Sequence, residues 1–137
     1  ITTHSSLLVK QLSYNDYVKT IILKNDKTIS LIGDRKLSYV SSNETNYLAF
    51  GLATEEYHNE LYEELFHKYA TSKKIKDFDS QFFIATMSEV KQYPWMQYPN
   101  EVSLHTYVRN QIHHRADNGQ ASYSDLETSI ATMRKYL

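Results

Sequence analysis

The chain has 137 residues, 41% hydrophobic and 23% charged, the balance of a folded globular protein and not of a disordered one. Fifteen Lys and Arg against sixteen Asp and Glu leave a net charge of -1, so no bulk basicity marks a nucleic-acid binder. The absence of cysteine excludes disulfides, thiol nucleophiles and Cys-based zinc sites, and no apolar run nears the roughly 20 residues of a membrane span.

The chain opens Ile1-Thr2-Thr3-His4 without methionine, and a fragment of a longer protein is expected. Ile1 to Thr3 reads as the end of a β-branched strand, and Ser5 or Ser6 can cap a short helix carrying Leu7, Leu8 and Leu12. Val18 and Ile21 to Leu23, the turn residues Asn25-Asp26-Lys27, and Thr28 to Ile32 predict a β-hairpin ended by Gly33-Asp34. From Ser41 the period becomes helical. A short helix runs through Tyr47, Leu48 and Phe50 to Gly51, and Thr54 caps a stronger one over 55–69. In it Tyr57, Leu61, Leu65 and Tyr69 recur every four residues.

Residues 71–79 read as a polar break, and Phe82, Phe83, Ile84 and Met87 as buried positions. Pro94 and Pro99 bracket an aromatic loop around Trp95, the only tryptophan. A helix over 101–114 places Leu104, Val108 and Ile112 on one face, and Asp117-Asn118-Gly119 makes a turn. Ser124 to Glu127 has the form of a capping box for a last helix with Leu126, Ile130, Met133 and Leu137 inward.

Three patterns can carry chemistry. A histidine leaving a strand's C-terminal edge points to the crevice where α/β proteins bind ligands, and there His4 could bond a phosphate oxygen or hold a water. A structural histidine is the competing reading. The second pattern, Ser41 to Phe50 continued by Glu56-Tyr57-His58-Asn59-Glu60-Leu61-Tyr62, reads physically as a packed helix with a solvated face, in which His58 and Tyr62 could share a hydrogen bond. The third is Arg109-Asn110-Gln111-Ile112-His113-His114. On one helix His105, Arg109 and His113 share a face, and Asn110 and His114 share the next. The adjacent His113 and His114 point about 100° apart and cannot chelate one metal ion from a regular helix, so no metal site is expected.

The run Ile1-Thr2-Thr3-His4-Ser5-Ser6-Leu7-Leu8, followed by a short helix and a hairpin, resembles the switch-histidine segment of ABC- and SMC-like ATPases. Ser6 stands where many such ATPases of prokaryotic defence carry proline. The strings Asn46-Tyr47-Leu48-Ala49-Phe50 and Glu56 to Tyr62 are similar to the region after the ATPase head in Septu-type ATPases, including those encoded beside retrons. The Arg109 to His114 string is similar to the terminal helical region of the same ATPases.

The resemblance implies an α/β part followed by a mostly α part. Residues 1–40 would end an ABC-type ATPase head (strand, short helix, β-hairpin) with its switch histidine, and 41–137 would form a helical C-terminal domain. It implies a cytoplasmic ATPase of anti-phage defence in which His4 contacts the γ-phosphate of ATP and Ser5 adjoins the nucleotide. ATP and Mg2+ would be held mainly by residues outside the chain. The implied partners are further copies meeting through the heads, an HNH-type nuclease subunit and, in a retron-associated version, a reverse transcriptase with its RNA–DNA product. Two other readings stay open. Arg109, Asn110 and His114 fit the R-N-x-x-x-H spacing of HEPN ribonucleases, which would make this a metal-independent RNase. Alternatively the helical part is a non-catalytic interaction module; in the ATPase reading it serves assembly and partner docking, with Trp95 and the tyrosines as candidate anchors.

Overall fold

A computed structural model of the chain describes Ser5 and Leu7, residues 21–23 and 29–31, and residues 34–86, 90–92 and 101–137. The hairpin expected from the β-branched runs is present: β1 (Ile21–Leu23) pairs antiparallel with β2 (Ile29–Leu31), Ile21 opposite Leu31. Leu7 is helical and exposed. The remainder of that expected short helix, with Val18, Asn25-Asp26-Lys27 and Gly33, lies outside the described residues.

Downstream, the described residues are mostly helical. α1 (Ser42–Phe50) starts at Ser41, whose side chain accepts the Glu44 amide, and stops at Gly51 with φ 67° and ψ 24°. Glycine enters this left-handed region without the Cβ clash that other residues meet. Nothing lies within 4 Å of a Cβ built there, so Gly51→Ala should cost about 1 kcal/mol from backbone conformation alone, read as a lower urea midpoint. α2 (Glu55–Tyr69) follows, with the Thr54 hydroxyl accepting the Tyr57 amide at 3.1 Å and Glu55 and Glu56 at the positive end of the helix dipole. Tyr57, Leu61 and Leu65 are fully buried, as their spacing predicts. Tyr69 leaves the stripe: its ring stacks on Phe82 at 4.5 Å while its hydroxyl donates to the Tyr136 carbonyl near the surface.

The expected polar break at 71–79 contains structure. Ile75–Phe78 forms one helical turn, α3, that runs into a π-helical turn over Asp79–Ile84. The wider turn accommodates an extra residue and lets three phenylalanines converge, with Phe83 lying 4.8 Å from Phe78 and 5.3 Å from Phe82. Phe83 is buried and Phe82 half-buried, but Ile84 is turned outward, so the apolar run is only partly core; Met87 lies outside the described residues. Asp79 holds the turn in place, its buried carboxylate accepting both the amide of Ser103, at 3.2 Å, and the Ser103 hydroxyl.

β3 (Val90–Gln92) and β4 (Glu101–Ser103) form a second antiparallel pair, with Val90 opposite Ser103. The helix expected from 101 therefore begins at 104, because Ser103 ends the strand and caps α4 (Leu104–His113) by accepting the Thr106 amide at 3.1 Å. Residues 93–98, Trp95 among them, lie outside the described residues. The expected turn at 117–119 closes a one-turn helix, α5 (Arg115–Asn118), ended by Gly119 at φ 73°. α6 (Tyr123–Arg134) is capped by Ser122 and not by Ser124. Ser122 accepts the Asp125 amide at 3.1 Å, and the earlier start gains a backbone bond from Leu126 to the Ser122 carbonyl at 3.0 Å. Helices α2, α4 and α6 enclose a core that includes Leu61, Leu65, Val108, Ile130 and Met133, and Phe78 and Phe83 pack on Tyr62 beside it.

The segment between the hairpin and α1 is tied down by polar groups from three helices. Glu44 of α1, fully buried, accepts the Lys36 amide at 3.0 Å, the Leu37 amide at 3.4 Å and the Tyr57 hydroxyl at 2.7 Å. Arg134 of α6 bonds Glu44 at 3.3 Å, the Tyr57 hydroxyl, and the Asp34 carbonyl at 2.9 Å, and it lies over the Tyr47 ring. Glu64 of α2 accepts the Ser38 amide at 3.2 Å. Burial, and then the bond to Glu44, push the Tyr57 hydroxyl far above its ordinary pKa, so it remains a donor.

Candidate functional site

His4, the expected switch residue, lies outside the described residues; Ser5 is described and exposed. The described residues supply no phosphate cradle, since their two glycines, Gly51 and Gly119, each end a helix. Nor do three His, Asp or Glu side chains converge among them as a metal site would require.

What the structure does assemble is a pair of imidazoles around one hydroxyl. His58 and Tyr62 do not share the hydrogen bond their spacing permits. Their rings lie 6.3 Å apart, and each polar end turns to another helix. The Tyr62 hydroxyl pairs with Thr106 Oγ1 at 2.8 Å, and His58 Nε2 meets Ser129 Oγ at 2.9 Å. His105 Nδ1 reaches the same Ser129 Oγ at 2.7 Å, with the Phe83 ring packed 4.8 Å from it. A hydroxyl carries one hydrogen, so the pairing is complete when one imidazole donates to Ser129 and the other accepts from it.

Both rings are neutral at pH 7. Burial, followed by the nearby His105, His113 and Arg109, pushes His58 down to about 3. Burial alone pushes His105 down to about 4. His58 Nδ1 and His105 Nε2 are buried without partners among the described residues. Because all three side chains are fully shielded from solvent, this group joins α2, α4 and α6 and offers no place for a substrate. Sequence reasoning did not single out Ser129 or the joint role of His58 and His105. The available signal was a polar residue on each of three apolar faces.

The Arg109 face is different, because it is open. Arg109 and Asn110 come together, Nη1 donating to Oδ1 at 3.0 Å, and the guanidinium lies 5.7 Å from the Tyr62 ring centroid. His114, the third member of the ribonuclease-like set, stands exposed where the helix ends, at φ -129° and ψ 51°, and no hydrogen bond links it to Arg109. His113, like the buried His58, lies in Arg109's electrostatic neighbourhood. Its pKa is lowered by burial first and then by Arg109 and His114, against an opposing pull from Glu63 of α2. The four-residue step from Arg109 to His113 was the legible signal for that pairing.

Among the tyrosines considered as anchors, Tyr57 and Tyr62 are core residues, whereas Tyr39 and Tyr123 are exposed. Partial burial of the hydroxyl, then Glu60 and Glu64, push Tyr39 up to about 12, so it too stays protonated. Comparison of the chain with family models, with curated proteins and with solved structures finds no match.

Proposed function

We propose that the chain is the C-terminal part of an ABC/SMC-like ATPase of a bacterial anti-phage system, similar to Septu-type ATPases. The observation that carries this reading is an order of elements. The Thr2-Thr3-His4-Ser5 run is followed by the antiparallel β1–β2 pair and then by a mostly helical unit, the order the sequence resemblance implies. In this reading His4 touches the terminal phosphate of ATP, and Mg2+ and most nucleotide contacts come from residues outside the chain. The helical unit, whose imidazole pair is closed to solvent, serves assembly and partner docking rather than turnover.

Its partners in this reading are other copies meeting through the heads, an HNH-type nuclease and, in a retron-associated version, a reverse transcriptase with its RNA–DNA product. Cytoplasmic location belongs to the same proposal; no helix among the described residues is long and apolar enough to cross a membrane. In the intact ATPase, His4→Ala should lower ATP hydrolysis about 10- to 1,000-fold, the size of one preorganised phosphate contact. Unchanged turnover in a folded variant rejects the assignment.

A further inference from the structure

Two features adjoin along α2. The first is a projecting pair of residues. Ser38 donates its amide to Glu64 at 3.2 Å, and Ser41 donates its hydroxyl to Glu60, one turn earlier on the same helix. Asn43 secures the other oxygen of Glu60 at 2.9 Å. Tyr39 and Val40, held between these two clamps, are 48% and 40% exposed. An aromatic and a β-branched side chain thus stand in solvent on a backbone fixed at both ends.

The second is a cavity of about 220 Å³, open to solvent, where α2 ends. Phe66 and Ala70 give it apolar walls, and His67, Thr71, Ser72 and Lys73 a polar rim. Its shape is braced. Phe66 packs edge-on to Phe78 with centroids 5.1 Å apart, Thr71 bonds Gln81 at 2.7 Å, and Ser72 bonds Asp77 at 2.9 Å. A tyrosine suits such a cavity, since its ring meets apolar walls while its hydroxyl stays at a polar rim.

Charge divides the two features. Glu60 and Glu64 clamp the projecting pair, with Glu63 beside them on α2, whereas His67, Lys73 and Lys74 stand at or next to the cavity. Glu63, Lys73 and Lys74 are exposed, and no ion pair among the described residues uses them. Glu63, Phe66, His67 and Ala70 follow steps of three and four residues and so share one face. The projecting pair and the cavity therefore border that face about one turn, roughly 5 Å, apart.

We propose that this face of α2 is an interface between two copies of the chain, paired antiparallel about a twofold axis, with Tyr39 of each copy seated in the Phe66–Ala70 cavity of the other. A second copy is the occupant because the chain itself carries the complementary side chain and the complementary charge. The twofold arrangement fills both cavities and sets each acidic stretch against the other copy's lysines in one closed contact. An acidic, tyrosine-bearing segment of another protein would leave this chain's own Tyr39 and Val40 uncovered. The proposal is independent of the ATPase reading, which joins copies through the heads, and its test involves no nucleotide.

Sedimentation equilibrium of the chain between about 10 μM and 1 mM measures it. The expected result is a monomer–dimer equilibrium that weakens with added salt. Tyr39→Ala should weaken dimerisation about tenfold. Glu63→Lys and Lys73→Glu should each weaken it about tenfold, because either change sets like charges together twice across the axis. An equimolar mixture of those two variants should dimerise about as well as the unaltered chain, since the exchanged charges then face one another. Circular dichroism establishes that each variant is folded. Four results overturn the proposal: a chain that stays monomeric at about 1 mM, a dimer indifferent to folded Tyr39→Ala, a mixture no tighter than either charge variant alone, or assembly that grows beyond the dimer.

Discussion

Acidifying the protein from pH 7 toward pH 4 should remove several kcal/mol of folding stability, and the two buried imidazoles should cause most of the early loss. In the unfolded chain a histidine titrates near 6.5. In the fold His58 is held near 3 and His105 near 4, because burial disfavours the charged ring and Arg109, His105 and His113 add repulsion at His58. Between those values the unfolded chain binds up to two protons that the fold refuses. Unfolding free energy then falls with pH by up to about 2.7 kcal/mol per unit. The stabilisation is complete above the unfolded value and is lost as pH falls toward the folded ones. Urea unfolding between about pH 5 and 7, where most carboxylates remain ionised, measures it. The His58→Gln/His105→Gln double variant should flatten the profile. An equally steep profile in that variant would assign the effect elsewhere.

Removing Arg134 should be far more damaging than removing Arg115, the other arginine that pairs with a carboxylate among the described residues. Glu44 is fully buried, and Arg134 is its only cationic partner among the described residues. Arg134→Ala strands that carboxylate with backbone amides and one tyrosine, at a cost of about 3–5 kcal/mol. The Arg115–Glu55 pair is the closer one, with Arg115 Nη2 reaching both carboxylate oxygens at 2.7 and 2.8 Å, yet its side chains are 54% and 28% exposed. Solvent replaces most of what Arg115→Ala removes, so that variant should lose about 1 kcal/mol or less. Denaturation midpoints of the two variants decide whether burial or geometry governs. The Arg134→Met/Glu44→Gln double variant should lose less than the sum of its single changes, the mark of a coupled pair. Additive losses would show that the two side chains act separately.

Legibility in the sequence followed the range of the interactions. α2 could be placed from Thr54 to Tyr69 because its cap, its dipole-facing acids and its stripe lie within 16 consecutive residues. Ser122 and Ser124 each precede an acid by three residues, so the choice of cap rested on a backbone bond that spacing does not encode. The π turn was hidden because local propensity has no term for an extra residue that lets Phe82 and Phe83 both reach Phe78. The Glu44–Arg134 pair spans 90 residues and the His58–Ser129 bond 71, and neither pairing follows from periodicity. Arg109 and His113 were legible as neighbours on a face, whereas the role of Tyr62 beneath Arg109 required the packing of α2 on α4.

The anchored stretch from Asp34 to Ser38 changes how force would pass through the chain. A linker gripped at its carbonyl by α6 and at successive amides by α1 and α2 has no freedom to pivot. It is a weld and not a hinge. A pull applied at Asp34 would load three helices simultaneously, and the helical unit would answer as one body or fail as one.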